Sequence, residues 1–332
     1  MVYIYVRRKK DSKYYYLRKS VRENSTIVPK NICSLGKNLN KINLSQLEKQ
    51  FPEIKKYEES IRRKLKQLRL IERASKIKSK GDKFFDEKQI SGINSILSNF
   101  KKNFIKKRVG ENFNFKFMAE NVSIDSVEKH LPNKKDVSVL IKEDIYPKNC
   151  SVLQVYRLIE TKKILDYLKE EKPNINTELV KKINSMLFER VIPLKGFRNH
   201  KLKVPGGNFK TSEAEKINSD MKKLISWYNK EKKKIHPLAL AIIFHNNFEK
   251  IHPFAIGNGE VGRILMNYIL ELNGCPPILI DRKLKKEYYR VMDYAYLSLK
   301  KDLLNINMKY YKPLIDFMQK QFVKTYWDNF LD

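Results

Sequence analysis

Within twelve residues, His252-Pro253-Phe254-Ala255-Ile256-Gly257-Asn258-Gly259-Glu260-Val261-Gly262-Arg263, the chain carries a titratable imidazole, three glycines and a guanidinium. Gly257 and Gly259 let backbone N–H groups converge at the start of a helix, where orphan donors and the positive dipole end make an anion hole suited to phosphate. His252, at the end of the preceding helix, faces that hole and accepts a proton near neutral pH. Arg263, in the first turn of the next helix, offers its planar fork to a further phosphate. A base, an anion hole and a guanidinium together describe attack of a hydroxyl on a bound phosphate.

The same letters admit a competing reading. Gly257, Gly259 and Gly262 fit G-x-G-x-x-G, and Asp281 follows at about the distance of a dinucleotide-binding acid. That fingerprint requires a buried strand to end at the first glycine. Here Leu238, Ala241, Ile242, His245, Phe248 and Ile251 recur at three- and four-residue spacing, which predicts a helix closed by Pro253. Most of the remaining chain is helical too, so no set of parallel strands is left to house a dinucleotide.

The elements that must position this stretch follow from periodicity. Residues 1–38 alternate β-branched and aromatic residues between polar breaks and read as a three-stranded meander, with an outer face made basic by Arg7, Arg8, Lys13, Arg18, Lys19 and Arg22. Helical patterns follow near 53–80, 86–107, 151–171, 178–190, 213–230, 237–250, 260–273, 284–300 and 306–328. Between two of them, "LKVPGGNFK" at 202–210 reads as a hairpin, because Gly206-Gly207-Asn208 tolerates the positive φ of a tight turn. The fold class expected is therefore mainly α with a small N-terminal β module.

Composition bounds the rest. The 332 residues hold 69 Lys and Arg against 37 Asp and Glu, a net charge of +32 that attracts phosphates, nucleic acid or anionic surfaces. At 42% hydrophobic residues the chain is globular. Cys33, Cys150 and Cys275 lie far apart without a C-x-x-C, which argues for a reducing cytoplasm and against a disulfide scaffold or zinc site. The apolar run "PLALAIIF" is far below the roughly 18 residues of a membrane span, so a cytoplasmic protein with no membrane contact is expected.

The glycine loop resembles the motif of the Fic (Fido) family, H-P-F-x-[D/E]-G-N-[G/K]-R-x-x-R. The likeness extends upstream through "GFRNHKLKV", "MKKLISWYNK" and "HPLALAIIFHNNFEKIHPF", and downstream through "RILMNYILELNGCPPILI" and "EYYRVMDYA". It implies a Fic helical core with a β-hairpin flap and three regions: a basic β module at 1–38, a helical region at 39–149 and a catalytic-type domain at 150–332. It further implies transfer of AMP from ATP, with Mg²⁺, to a Ser, Thr or Tyr hydroxyl of a target protein. His252 then acts as general base, and Phe254 anchors the loop. Gly257, Asn258 and Gly259 line the anion hole, and Arg263 holds the distal phosphates. Lys203, Val204, Pro205, Gly206 and Gly207 form the flap that aligns the target by strand addition, and Tyr288 and Tyr289 border the base pocket.

Two positions depart from the motif. Ile256 stands where the resemblance implies a magnesium-binding acid, and Glu260 where it implies the first arginine. Isoleucine cannot ligate a hard cation. Glu260 suits the helix N-terminus and is placed to pair with Arg263 three residues on, or to hold the metal in place of residue 256. Family members also carry an inhibitory [S/T]-x-x-x-E-[G/N] helix. "KFMAEN" at 116–121 offers Glu120 for that role, although Lys116 occupies the Ser/Thr position. Three functions stay open: an AMP-transferring enzyme of weakened or altered activity, a lapsed Fic fold serving as a nucleotide-binding or protein-interaction module, and a nucleic-acid-associated protein acting through its basic N-terminal region.

Overall fold

The computed structural model describes residues 2–9, 12–23, 25–76, 81–104, 110–126, 128–192, 196–204, 209–299 and 302–330, with backbone alone at 73–76 and 101–104. The chain divides into two compact units, residues 1–96 with 327–332, and residues 97–326.

In the first unit, β1 (Val2–Lys9), β2 (Ser12–Glu23) and β3 (Thr26–Gly36) form an antiparallel sheet in that order. Ile4 lies opposite Leu17 and Val6 opposite Tyr15. Because side chains alternate along a strand, these residues share one face, which packs on Leu39, Leu44 of α1 (Leu44–Gln50), and Ile61 and Leu65 of α2 (Glu58–Lys76). The same alternation corrects the expected basic face. Arg7, Arg18 and Arg22 lie away from the core, whereas Arg8, Lys13 and Lys19 fall on the core-side register at its ends.

The chain then passes through α3 (Glu87–Phe104) into the second unit. There follow α4 (Glu111–Ser123), α5 (Lys134–Glu143), α6 (Val152–Glu171), α7 (Thr177–Phe188), α8 (Ile217–Glu231), α9 (Pro237–Ile251), α10 (Asn258–Leu272), α11 (Lys285–Tyr296) and α12 (Met308–Asn329). Helix α9 starts with Pro237 in the first turn, where a missing N–H costs nothing, and His236 Nδ1 accepts from Leu238 N. Every residue from Leu238 to Phe248 is buried. A helix buried all round belongs in the centre of a bundle, and α9, which also buries the polar His245, Asn246, Asn247 and Glu249, packs against α8, α10 and α11. Helix α4 packs on α5, α6 and α10.

Helices α4 and α5 lie outside the helical patterns read from the sequence; α5 is short but carries a stripe of Val137, Leu140 and Ile141, whereas α4 carries none. In α4, Phe113, Phe115, Phe117, Met118, Ala119 and Val122 are all buried and surround the helix, so the 3.6-residue contrast vanishes. The hairpin expected at 202–210 is not formed by the described residues: 201–204 and 209–210 lie outside any strand, and Pro205, Gly206 and Gly207 fall outside the described residues. Among the described residues, no helix is long and apolar enough to cross a membrane.

Candidate nucleotide and transfer site

Helix α9 ends when His252 enters the left-handed region at φ 53, a conformation that strains any residue with a Cβ. Arg198 holds it there. Its Nε donates to His252 O at 2.8 Å, its NH2 to Ser212 O at 2.6 Å, and its NH1 to His200 O at 2.6 Å, while its backbone N–H reaches Pro253 O at 2.9 Å. The arginine of "GFRNHKLKV" thus ties the segment leading to the flap onto the loop, a role that spacing alone did not assign.

Beyond His252 the loop is locked from inside. Phe254 is 1% exposed and packs on Phe197 and Phe248. Asn258 Oδ1 accepts from Phe254 N at 2.9 Å, and its Nδ2 donates to Phe254 O at 2.8 Å, so both ends of its amide serve the loop. Gly257, the N-cap of α10, has φ 81, and a Cβ there would meet Phe188 Cζ at 2.8 Å. Glycine is required at this point both for its conformation and for the approach of Phe188. Ile256 O accepts from Asn184 Nδ2 at 3.0 Å, which fixes the turn against α7.

The imidazole of His252 is 13% exposed and lies with Nδ1 3.2 Å from Glu249 O. A carbonyl only accepts, so Nδ1 carries the proton and Nε2 is the basic nitrogen. Burial lowers the pKa of His252 to about 4, so the ring is neutral at physiological pH. One turn earlier on the same helix, Glu249 is buried, with Oε2 3.8 Å from His252 Nδ1 and Oε1 without a hydrogen-bond partner. Desolvation pushes its carboxyl up to about 8, so Glu249 is protonated beside the neutral base. Beneath them, His245 Nε2 meets the Tyr288 hydroxyl at 2.5 Å, and burial lowers its pKa to about 3.

These groups make stability depend on pH with opposite signs. The contribution of Glu249 is complete below its ordinary 4.5 and is lost as pH rises toward 8. That of His252 and His245 is complete above 6.5 and is lost as pH falls toward 4 and 3. Between pH 6.5 and 8 only the carboxyl acts among these three, and wild-type stability should fall by on the order of 2 kcal/mol. Glu249→Gln should abolish this decline in a series of thermal melts. An identical decline in the variant would assign it to other groups.

At the start of α10 the anion hole is already approached by a carboxylate. Asp125, just past the end of α4, has its side chain 30% exposed and lies 2.7 Å from NH2 of Arg263. The Tyr289 hydroxyl donates to its other oxygen. Desolvation raises the Asp125 carboxyl, but Arg263 and the Tyr289 hydrogen bond outweigh it and hold it below the ordinary carboxylate range. A Cβ on Gly259 would stand 3.1 Å from Asp125 Cγ, so this acid occupies the place above the N-terminal turn where a phosphate is expected. Asn121 completes the capture of Arg263: its Oδ1 accepts from Nε at 2.8 Å and its carbonyl from NH2 at 3.0 Å. Arg263 NH1 is buried without a partner, a donor left over for an anion.

The remaining expected residues fall as follows. The Glu120 carboxylate accepts, at its Oε2, the backbone N–H of Arg282 at 2.8 Å, and the side chains that contact Arg263 from this region are Asn121 of α4 and Asp125 beyond its end. Tyr288 is 1% exposed, with its ring on Phe317 and its hydroxyl against His245 and Arg263; Tyr289 reaches Arg263 through Asp125. Lys203 and Val204 lie in irregular structure before the undescribed tip of the flap.

Glu260 does not pair with Arg263. Its carboxylate, 1% exposed, takes Arg157 of α6: Nε lies 3.1 and 3.2 Å from its two oxygens, and NH2 lies 2.5 Å from Oε1. A fork that binds both oxygens turns this carboxylate toward α6. With isoleucine at 256 and Glu260 committed to Arg157, the donor set does not fit a hard cation such as Mg²⁺.

Comparison with known proteins agrees with this architecture. The model of the Fic/DOC family matches residues 174–270, which run from the start of α7 nearly to the end of α10. Protein adenylyltransferase fic-1 of Caenorhabditis elegans is 28% identical over 132 residues, 40% of this chain and 26% of that protein. Protein adenylyltransferase Fic of Drosophila melanogaster is 32% identical over 134 residues, 36% of this chain and 27% of that protein. The chain thus spans about a quarter of the length of these two relatives. A Fic-domain-containing signalling protein from Bacteroides thetaiotaomicron shares the fold with TM-score 0.60 at 18% identity, over 70% of this chain and 93% of its own. The solved Fic-1 of C. elegans does so with TM-score 0.59 at 18% identity, over 71% and 70%. Residues 174–270 thus match the Fic/DOC family, and the chain shares the fold of the solved Fic proteins.

Proposed function

We propose that this protein is a Fic-type nucleotidyltransferase that moves AMP from ATP to a Ser, Thr or Tyr hydroxyl of a target protein, with its activity held down by its own side chains. One observation carries the reading: a neutral imidazole with its basic Nε2 available stands beside a helix N-terminus and the buried, unpartnered Arg263 NH1. In the reaction the target oxygen attacks the α-phosphorus, and its proton passes to His252 Nε2. The bond to the bridging oxygen breaks, and pyrophosphate leaves with the electron pair. Arg263 and the first turn of α10 hold the phosphates. The residues at 256 and 260 do not fit a metal ion.

Three features restrain this chemistry: Asp125 in the phosphate position, isoleucine at 256, and Glu260 in place of a cation. They also favour the second reading, a lapsed site that serves as a binding module. Incubation with α-labelled ATP and candidate target proteins separates the two. Label transfer that disappears in His252→Ala supports the enzyme; absence of label in the wild type, with a gain in Ile256→Asp, identifies a lapsed site. Location in the cytoplasm is part of the proposal and rests on cysteine usage alone.

A further inference from the structure

The N-terminal sheet has a second face that the transfer chemistry does not use. Along β1 and β2 the residues pointing away from the core include Tyr5, Arg7, Tyr14, Tyr16 and Arg18, and the register sets Tyr5 opposite Tyr16 and Arg7 opposite Tyr14. Aromatic and cationic side chains therefore alternate across one surface. Tyr5 is 37% exposed, and the guanidinium carbon of Arg18 lies 3.7 Å from its ring centre. Asn31 Oδ1 accepts from Arg18 Nε at 2.7 Å and fixes the plane of that fork. Lys37 places its ammonium 4.9 Å from the ring of Tyr14. Residues 1–36 contain nine Lys and Arg against two acids, Asp11 and Glu23, and Glu23 is paired with Lys30 at 2.6 Å at the far end of β2.

We infer that this sheet face is a binding site for single-stranded nucleic acid. The charge asks for a polyanion, and the exposed ring of Tyr5 with the half-buried rings of Tyr14 and Tyr16 asks for flat apolar partners; a nucleic-acid strand presents both along one line. Tyr14 and Tyr16, on alternate positions of β2, stand ~6.7 Å apart, about twice the ~3.4 Å rise of stacked nucleotides. Each ring can take one base only from a strand whose bases are separated. A duplex keeps its bases stacked and offers the rings nothing, so the face selects single strands. Arg18, already lying flat over Tyr5, extends the stacking platform, while Arg7 and Lys37 meet the phosphates on either side. The inference is independent of the transfer chemistry, since it rests on the first compact unit alone.

The test titrates the full chain into fluorescently labelled oligo-dT and oligo-U of about twenty nucleotides, and into a hairpin duplex of equal charge, with anisotropy as readout. Single strands should bind more tightly than the duplex. A log–log salt slope of about −1.4 is expected if Arg7 and Lys37 each release one counterion. Tyr14→Ala with Tyr16→Ala should weaken binding by about tenfold or more. Tyr16→Leu keeps strand packing and bulk but lacks the π-face, and it should weaken binding with the melting temperature unchanged. A preference for oligo-U over oligo-dT assigns RNA as the ligand, and the reverse assigns DNA. Equal or tighter binding of the duplex, undiminished affinity in both tyrosine variants, or no binding at low salt overturns the inference.

Discussion

Asp125→Asn is expected to tighten ATP binding by about ten- to a hundredfold, with the gain present in metal-free buffer. The carboxylate stands 2.7 Å from Arg263 NH2 and close above Gly259, on the ground that a phosphate group must take. While it is ionised, nucleotide binding must both displace it from the guanidinium and place triphosphate charge beside it. Asparagine keeps the shape and can still accept from Arg263, so the variant removes the repulsion without opening a hole. Calorimetric titration with ATP reads the change. Equal affinity in wild type and variant would show that Asp125 and phosphate do not compete, and the restraint would then fall on positions 256 and 260 alone. A loss of thermal stability should accompany the gain, because the buried Arg263 loses its charged partner and keeps only a neutral acceptor.

Arg157→Ala should be the most destabilising single change in this region. It leaves the buried carboxylate of Glu260 without its bidentate cation, and truncating one partner of a buried pair costs about 3–5 kcal/mol. For a compact unit of this size that corresponds to a fall in melting temperature of roughly 6–20 °C. Burial already raises the Glu260 carboxyl, with Arg157 pulling it back down. Without Arg157 the group rises further, so the penalty should be largest at neutral pH and should shrink as acid protonates Glu260. Adding Glu260→Gln to Arg157→Ala should recover much of the loss, since a buried amide costs far less than a buried charge. If melts show no loss in the single variant, the pair is a surface contact with little energetic weight.

Both effects involve helices that sequence patterns did not place in the site. The loop itself was legible: His252 and Gly257 cap the helices that the three- and four-residue spacing of α9 and α10 predicts, although α10 starts early enough to put Arg263 in its second turn, not its first. The meander was legible for the same kind of reason, because alternation in β1 and β2 is a local property of consecutive residues. What escaped was α4, buried on every side, whose phenylalanines at 113, 115 and 117 carry no amphipathic period. With α4 unseen, its continuation Asp125 had no reason to be singled out, and Glu120 was the only acid that motif spacing could nominate. Glu260 was assigned to the near partner three residues along its own helix, whereas the fold presents Arg157 from 103 residues away in sequence.

The amino-acid sequence by itself determined the glycine loop, the helices on either side of it, the meander and the two departures at Ile256 and Glu260, because all of these depend on residue type and short-range periodicity. Only the tertiary structure decided which charge meets which. A guanidinium in the second turn of α10 can bind phosphate, pair with Glu260 or pair with a distant acid, and its choice depends on which carboxylate long-range packing delivers within hydrogen-bond reach. Packing of α4 on α10 delivered Asp125 to Arg263, and packing of α6 delivered Arg157 to Glu260.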